Sequence, residues 1–539
     1  MRAVMLLLAA QARRDRWVLS IWIGGIGLLG LAVGGAITTS FAIEAERASI
    51  VALFVTNPAF LFLRGLPDGL SIGAVAFLQG FSFTAVLAAL MSTFLVVRHT
   101  RADEELGRAE LLCSTPLRRN AELRATIILG FLANAGLVVV VAAGYTVGGL
   151  PFGGSIVAAL AVGSVGLFFV GVAAVVVQAL PTGRGSNGVA AALVGVAYLV
   201  RGIGDALGTP NAQLTQVTPS WISWLSPIGW GQATRPYSEP MLTPLLLLLA
   251  GFAVLAGTAL VLRSRRDLDS SLVSDRAGAS TARFGGRSVL GLAWRLQRAT
   301  LLGWCVGVVV LGAIAGGLGP VVAQALQDNP SLSALIGNLV PGVTADIVDI
   351  FTAALLGIGG VLAAAAGVQA VLRLRTEEAE GRAELVLATP VSRVRWVSAT
   401  LIVSGASVLA VCTTLGLATG VAIAQSSADM TAIARFTSAA LAHAPAAVVF
   451  VAVTALVFAV LPRLTIALGW GLLVIGLVIG QFGELLQLPQ WLQDVSPFHH
   501  SSAVPVEDLD VVAVLILLGI TGVVAVAAIV LVRRRDITA

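Results

Sequence analysis

Two short runs in this chain place acids, an arginine and a glycine at matched spacing: EELGRAELLCSTP at 104–116 and EAEGRAELVLATP at 378–390. Glu104 and Arg108 lie four residues apart with the acid first, and Glu378 and Arg382 repeat the arrangement. On a helix that order gives a favourable ion pair. Such a run suits charge pairing and recognition of a partner. It does not suit bond making, and no catalytic set accompanies it. The chain has no HExxH, no evident Ser/His/Asp set and no Lys, all 33 basic residues being Arg. Without Lys there is no Walker A loop to hold ATP phosphates, and Schiff-base chemistry is excluded. Cys113, Cys305 and Cys412 are scattered without metal-ligand spacing and read as small core residues. His499 and His500 are adjacent and would point apart on a helix, so no metal site is expected.

The runs belong to a longer match. Residues 101–126 and 375–400, at a constant offset of 274, are identical at twelve of 26 positions. Most of these are charged or punctuating residues, which low complexity does not explain. Weaker echoes keep the same order. Arg13, Arg16 and Trp22 match Arg295, Arg298 and Trp304; Leu180-Pro181 matches Leu461-Pro462; Gly204-Asp205 matches Gly483-Glu484. Trp221 with Ser226-Pro227 matches Trp491 with Ser496-Pro497.

The elements that position these runs come from a very apolar chain. Its 539 residues are 57% hydrophobic and 11% charged, with a mean hydropathy of +0.95. A soluble domain is about one quarter charged. The expected fold is therefore an all-α polytopic membrane protein. A spanning helix needs about 20 apolar residues. Twelve such runs lie near 17–38, 73–98, 123–147, 153–179, 187–206, 241–262, 298–320, 351–373, 398–424, 439–461, 466–484 and 511–532. They divide into a six-span half at 1–262, a polar, basic linker at 263–284 and a second six-span half at 285–539. Both halves enter from the same side, so two parallel repeats are expected. If the N-terminus is cytoplasmic, inside segments hold 28 of the 33 arginines, while the acids divide evenly. This bias places both termini in the cytoplasm. The start, MRAVMLLLAAQA, looks superficially like a signal peptide, but Arg13, Arg14 and Arg16 lead straight into an apolar span at Trp17. An interfacial helix entering the first span is expected.

Each charged run falls between the second and third spans of its half. A short amphipathic cytoplasmic helix is expected at 101–114, broken by Thr115-Pro116, with Thr capping and Pro opening the next helix. Thr389-Pro390 repeats this. Gly107 and Gly381 inside a helix cost roughly 1 kcal/mol each. They read as points where another backbone approaches.

Six spans, a charged helix between the second and third, a tiny loop between the fourth and fifth, and a polar Pro-containing segment before the sixth resemble the permeases of ABC-2 type ATP-binding cassette exporters. The pattern E-x-x-G-R-x-E-L-x-x-x-T-P, twice in one chain, looks like the fused twelve-span actinobacterial branch that exports polyketide antibiotics and other drugs, the tetronasin-resistance type. The resemblance implies that the runs are coupling helices seated in clefts of two separate ATPase subunits. Glu104, Gly107, Arg108, Glu110, Thr115 and Pro116 would carry this role in the first copy, and Glu378, Gly381, Arg382, Glu384, Thr389 and Pro390 in the second. ATP and Mg would be bound by those partners, leaving this chain without a cofactor and without catalysis of its own. A substrate cavity between the second and fifth spans of each half is implied, with Phe81, Phe83, Gln369 and Gln481 as candidates. Gln79, Gln178 and His443 are further intramembrane polar groups, read first as helix-packing residues. Asp205 and Glu484, at equivalent ends of the fifth and eleventh spans, read as acids at an outer gate or as water-exposed helix ends.

The expected function is the permease subunit of an exporter in the bacterial plasma membrane. It would move amphipathic or apolar drugs by alternating access, with lipid and small molecules as partners and no nucleic acid. Lipid or glycan precursors are alternative cargo. An ion-coupled secondary transporter predicts mid-span acids, whereas the acids here cluster in loops and at span ends.

Overall fold

A computed structural model describes residues 2–56, 58–108, 110, 119–266, 271, 288–327, 347–482, 489–502 and 504–535. Among these residues, twelve helices are long and apolar enough to cross a membrane. Helices satisfy their own backbone donors and acceptors, which is the requirement hydrocarbon imposes. The protein is an all-α polytopic membrane protein. It forms two compact units, Met1–Gly278 and Ala279–Ala539, and the division falls within residues 263–284.

The first unit opens with α1 (Arg2–Ser40), a single helix of 39 residues. The expected interfacial segment and the first span are thus continuous. Two shorter helices follow, α2 (Glu44–Thr56) and α3 (Pro58–Arg64), before the second span, α4 (Ile72–Arg98). A five-residue helix, α5 (Arg101–Glu105), leads towards the third span, α6 (Ala121–Val147). The fourth and fifth spans are α7 (Phe152–Ala179) and α8 (Gly183–Ala206). Strands β1 (Thr209–Pro210) and β2 (Val217–Thr218) then pair antiparallel, with Thr209 opposite Thr218. A 3-10 turn (Trp221–Leu225) and α9 (Pro227–Gln232) precede the sixth span, α10 (Thr243–Arg265).

The second unit contains α11 (Val289–Gln327), α12 (Ile347–Ala379), α13 (Arg382–Leu387) and α14 (Arg393–Ser427). Its tenth span begins at Thr431, eight residues earlier than the apolar run suggested, and is split into α15 (Thr431–Ala442) and α16 (Ala444–Val460). The split falls at His443, just before Pro445. Proline has no backbone N–H to give to the preceding turn. The last described helices are α17 (Thr465–Phe482), α18 (Gln490–Gln493) and α19 (Val511–Arg534).

In the first unit α1 packs on α6, α4 on α7, and α7 on α10. In the second, α11 packs on α14, α12 on α16, and α16 on α19. First–third, second–fourth and fourth–sixth span contacts therefore occur in both. The apolar windows of α4 and α7 are 72% and 78% buried, whereas those of α10 and α19 are only 22% and 11% buried. Side chains such as Leu246 on α10 and Val523 on α19 face outward, as hydrocarbon-facing residues do.

Candidate functional site

The charged runs sit where the second span of each unit ends. In the first unit the helix stops after Glu105, and Gly107 turns the chain at φ +69°. In the second it stops after Ala379, and Gly381 adopts the same φ of +69°. The amide of Gly107 donates to the Glu104 carbonyl (2.9 Å), and that of Gly381 to the Glu378 carbonyl (3.1 Å). A left-handed residue just past a helix is a common terminator, and glycine adopts it without the usual Cβ penalty. No described residue lies within 4 Å of where a Cβ would stand at either glycine. The glycines therefore serve the backbone turn, and the space beside them is not filled by any described residue of this chain.

This turn also breaks the expected i,i+4 pairs. Once the chain leaves the helix after Glu104, Arg108 no longer shares its face. Arg108 instead reaches back to Asp103 (2.9 Å), and Arg382 reaches back to Glu377 (3.0 Å). These two pairs have the same spacing and the same 274-residue offset.

Glu104 and Glu378 face inward. Glu104 accepts from Arg101, from Arg263 Nη1 (2.5 Å) and from Arg266 Nη2 (2.5 and 2.7 Å), all with side chains almost fully buried. Arg263 lies in the last turn of α10 and Arg266 just beyond it. Residues assigned to the start of the linker are thus part of the packed first unit. Arg266 Nη1 also donates to the Val177 carbonyl at the end of α7 (3.3 Å). Glu378 has an equivalent holder: Arg535, just past α19, donates to its Oε1 and to the Phe458 carbonyl on α16 (2.5 Å). Arg375 is 3.9 Å from the same carboxylate. Val177 and Phe458 each precede their Leu-Pro pair by three residues. One arginine per unit thus ties the charged run, the fourth span and the sixth span together.

The first run has additional ties. Asp103 receives both carboxylate bonds from Arg14 of α1 (2.9 and 2.8 Å). Glu105 Oε1 accepts from the Gly183 amide at the N-terminus of α8 (2.9 Å), a favourable end for an acid. Asp15 of α1 contacts Arg98 (3.2 Å) and His99 (2.9 Å).

Beyond the glycines the runs turn outward. Glu110, Arg108, Glu384 and Leu385 are exposed or partly exposed, Arg382 is half-exposed, and Thr389 and Pro390 are exposed. Thr389 does not cap the next helix. Its hydroxyl donates to the Val386 carbonyl (2.6 Å), and Ser392 caps α14 by accepting from the Arg395 amide (3.2 Å). Pro390 falls in the connection, too early to open the helix. Thr115 and Pro116 lie outside the described residues.

The remaining candidates separate. Phe81 is buried, stacked on Phe77 at 4.6 Å between centroids. Phe83 is partly exposed beneath the Arg64 guanidinium, 5.2 Å away. Gln369 accepts from the Trp304 indole (2.7 Å), which joins α12 to α11. Gln178 donates to the Ala174 carbonyl (3.3 Å) and His443 pairs with Ser501 (2.6 Å), both packing roles. The side chain of Gln481, and Glu484 entirely, lie outside the described residues. Asp205 is fully buried, so it is no water-exposed helix end. Its carboxylate accepts from Arg201 (3.1 Å), Ser223 (2.6 Å) and Gln232 (3.1 Å). The acid pins the segment after α8 back onto that helix. Ser226 donates to the Ala197 carbonyl (2.7 Å) and Ser496 to the Gly476 carbonyl (2.7 Å), matched positions on α8 and α17.

The sequence reading missed Arg201, Arg263, Arg266 and Arg535. Arg201 had a local signal in its four-residue spacing from Asp205. The others stood out only as positive charge after a final span.

Twelve apolar helices, with a clamped charged run at one end of each unit, define a multi-pass membrane protein. Residues 287–533 match the family model described as "Multidrug efflux system permease Rv1217c, C-terminal domain". Over 535 residues the chain is 34% identical to the "Multidrug efflux system permease protein Rv1217c" of Mycobacterium tuberculosis, covering 98% of this chain and 94% of that one. The chain belongs to this family of multidrug efflux system permeases.

Proposed function

We propose that this chain is the transmembrane subunit of an ATP-driven exporter of amphipathic or apolar drugs, of the ABC-2 type. Its two halves are parallel repeats of one six-span ancestor. The charged runs are cytoplasmic, as are both termini, and the plasma membrane is the site of action. Two copies of a separate ATP-binding cassette ATPase dock on the outward-turned parts of the runs. Those partners bind ATP with Mg, and this chain catalyses nothing itself. The halves alternate between inward- and outward-open states.

The observation that carries this reading is the recurrence of one device in both units. A glycine at φ +69° follows a buried glutamate, and an arginine past the last span holds that glutamate. The glutamate anchors the run to the bundle, while Glu110 or Glu384 remains exposed for a partner. A run so anchored passes displacement to the fourth and sixth spans through Arg266 or Arg535. The 34% identity to a multidrug efflux permease supports the drug-export part.

The test is reconstitution with the candidate ATPase in proteoliposomes. Two ATPase copies per permease and ATP-dependent drug movement are expected. Transport that persists with no ATPase present would overturn the reading.

A further inference from the structure

In the first unit the segment after α8 covers a hollow at the opposite end of α4 from the charged run, about 40 Å away at 1.5 Å per residue. The cavity measures about 290 Å³. Its floor is Ala74 and Phe77 of α4 with Leu66, and its roof includes Val217, Trp224 and Met241.

The roof is held at its edges, which keeps the interior unfilled. Tyr237 is wedged where Gly73 and Gly154 leave room for its ring; a Cβ at either would collide with it. Its hydroxyl pairs with Ser155 (3.1 Å). Asp68 binds the segment at two further points, accepting from Gln216 (3.1 Å) and from the Ser238 hydroxyl. Ser223 and Gln232 are fastened to Asp205.

These bonds also decide what the cavity accepts. The Asp68 oxygens and both ends of the Gln232 amide already have partners inside the protein. A charged ligand head would have to displace one of these bonds or draw Arg235, which also lines the cavity, away from Asp68 (3.6 Å). The remaining wall is mostly carbon, with Phe77, Trp224 and Tyr237 among it, and its polar groups include Thr218 at the rim. A concave, mostly apolar lining with a few placed polar groups suits apolar guests. Drug-sized sites run from about 300 to 1,000 Å³, so the guest is at the small end.

We propose that this cavity binds compact, neutral, largely apolar molecules of one or two rings. Its role as a release-side chamber rests on the exporter reading; binding itself does not.

Full-length protein in lipid nanodiscs, with no ATPase or ATP, is photolysed with 3-phenyl-3-(trifluoromethyl)diazirine and mapped by mass spectrometry. Adducts on Trp224 and on 237–241 are expected to saturate and to be competed by excess trifluoromethylbenzene. Ala74→Leu, which fills the floor, is expected to reduce them to the non-saturable level of α19. Thr218→Trp fills the cavity from the exposed rim and serves where Ala74→Leu fails to fold. Non-saturable labelling, or saturable labelling unchanged in the folded variants, would overturn the site. Saturable labelling without ATP-driven export would leave the site standing and defeat the exporter reading.

Discussion

Arg266 bonds both carboxylate oxygens of Glu104, at 2.5 and 2.7 Å, with both side chains buried. The contact joins residues 162 positions apart. It makes this glutamate of the repeated motif an anchor within the first unit. Removing one partner of a buried ion pair costs about 3–5 kcal/mol, because the other charge is left unpaired. Glu104→Ala removes the shared acceptor of Arg101, Arg263 and Arg266, of which Arg263 keeps Glu122 at 3.7 Å, and Glu378→Ala removes the acceptor of Arg535 and the acid beside Arg375. Both variants are expected to lower the thermal unfolding midpoint in detergent, Glu104→Ala by more. Wild-type melting in both would remove the anchoring role. A double Glu104/Glu378 alanine variant is therefore no clean test of coupling.

The proposed coupling to an ATPase is better probed on the exposed side. Glu110→Arg combined with Glu384→Arg reverses two outward charges without touching the buried network. We expect normal expression and melting, with loss of drug-stimulated ATP hydrolysis in the reconstituted complex. Unchanged stimulation would exclude these acids from the ATPase contact.

The two turn glycines predict a backbone effect. Gly107→Ala or Gly381→Ala forces a Cβ into a left-handed conformation, at a cost of about 1–2 kcal/mol. Asparagine tolerates that region better. Thermal shift measurements are expected to rank glycine above asparagine above alanine at both positions. An alanine variant as stable as wild type would show that the turn is not required.

Asp68 gives the segment that follows α8 a pH dependence. Burial pushes its carboxyl above the usual range, opposed by the Ser238 bond and the Arg235 charge. For an acid raised in the folded state, the stabilising contribution is complete below the ordinary value of about 3.9. It is lost as pH rises through the raised folded value. Wild type is therefore expected to lose stability relative to Asp68→Asn as pH increases from 4 to 8. Parallel melting curves across that range would contradict this.

Asp205→Ala removes the acceptor of Arg201, Ser223 and Gln232 together. It is expected to destabilise the first unit and expose residues 209–241 to protease. A variant that kept wild-type protection while altering drug release would contradict the pinning role and favour the gate reading.

The twelve spans were legible in the sequence because hydrocarbon solvates only an apolar, self-bonded segment, and that condition is local. The matched runs were legible too, since charged residues stand out in a chain with 11% charge. The φ of +69° at Gly107 and Gly381 left a trace in the glycine itself. What the runs do with their charge was decided elsewhere. Spacing suggested that Glu104 would pair with Arg108, but the glycine ends the helix between them. The acid then meets whichever cations the packing of α7 and α10 brings to its side, and these are Arg263 and Arg266. Asp205 likewise looked exposed at a helix end until the chain folded back and buried it with Arg201. Local propensity acts over a few residues, so it placed the helices. Coulombic pairing acts across space, so only the packed bundle could assign each charge its partner.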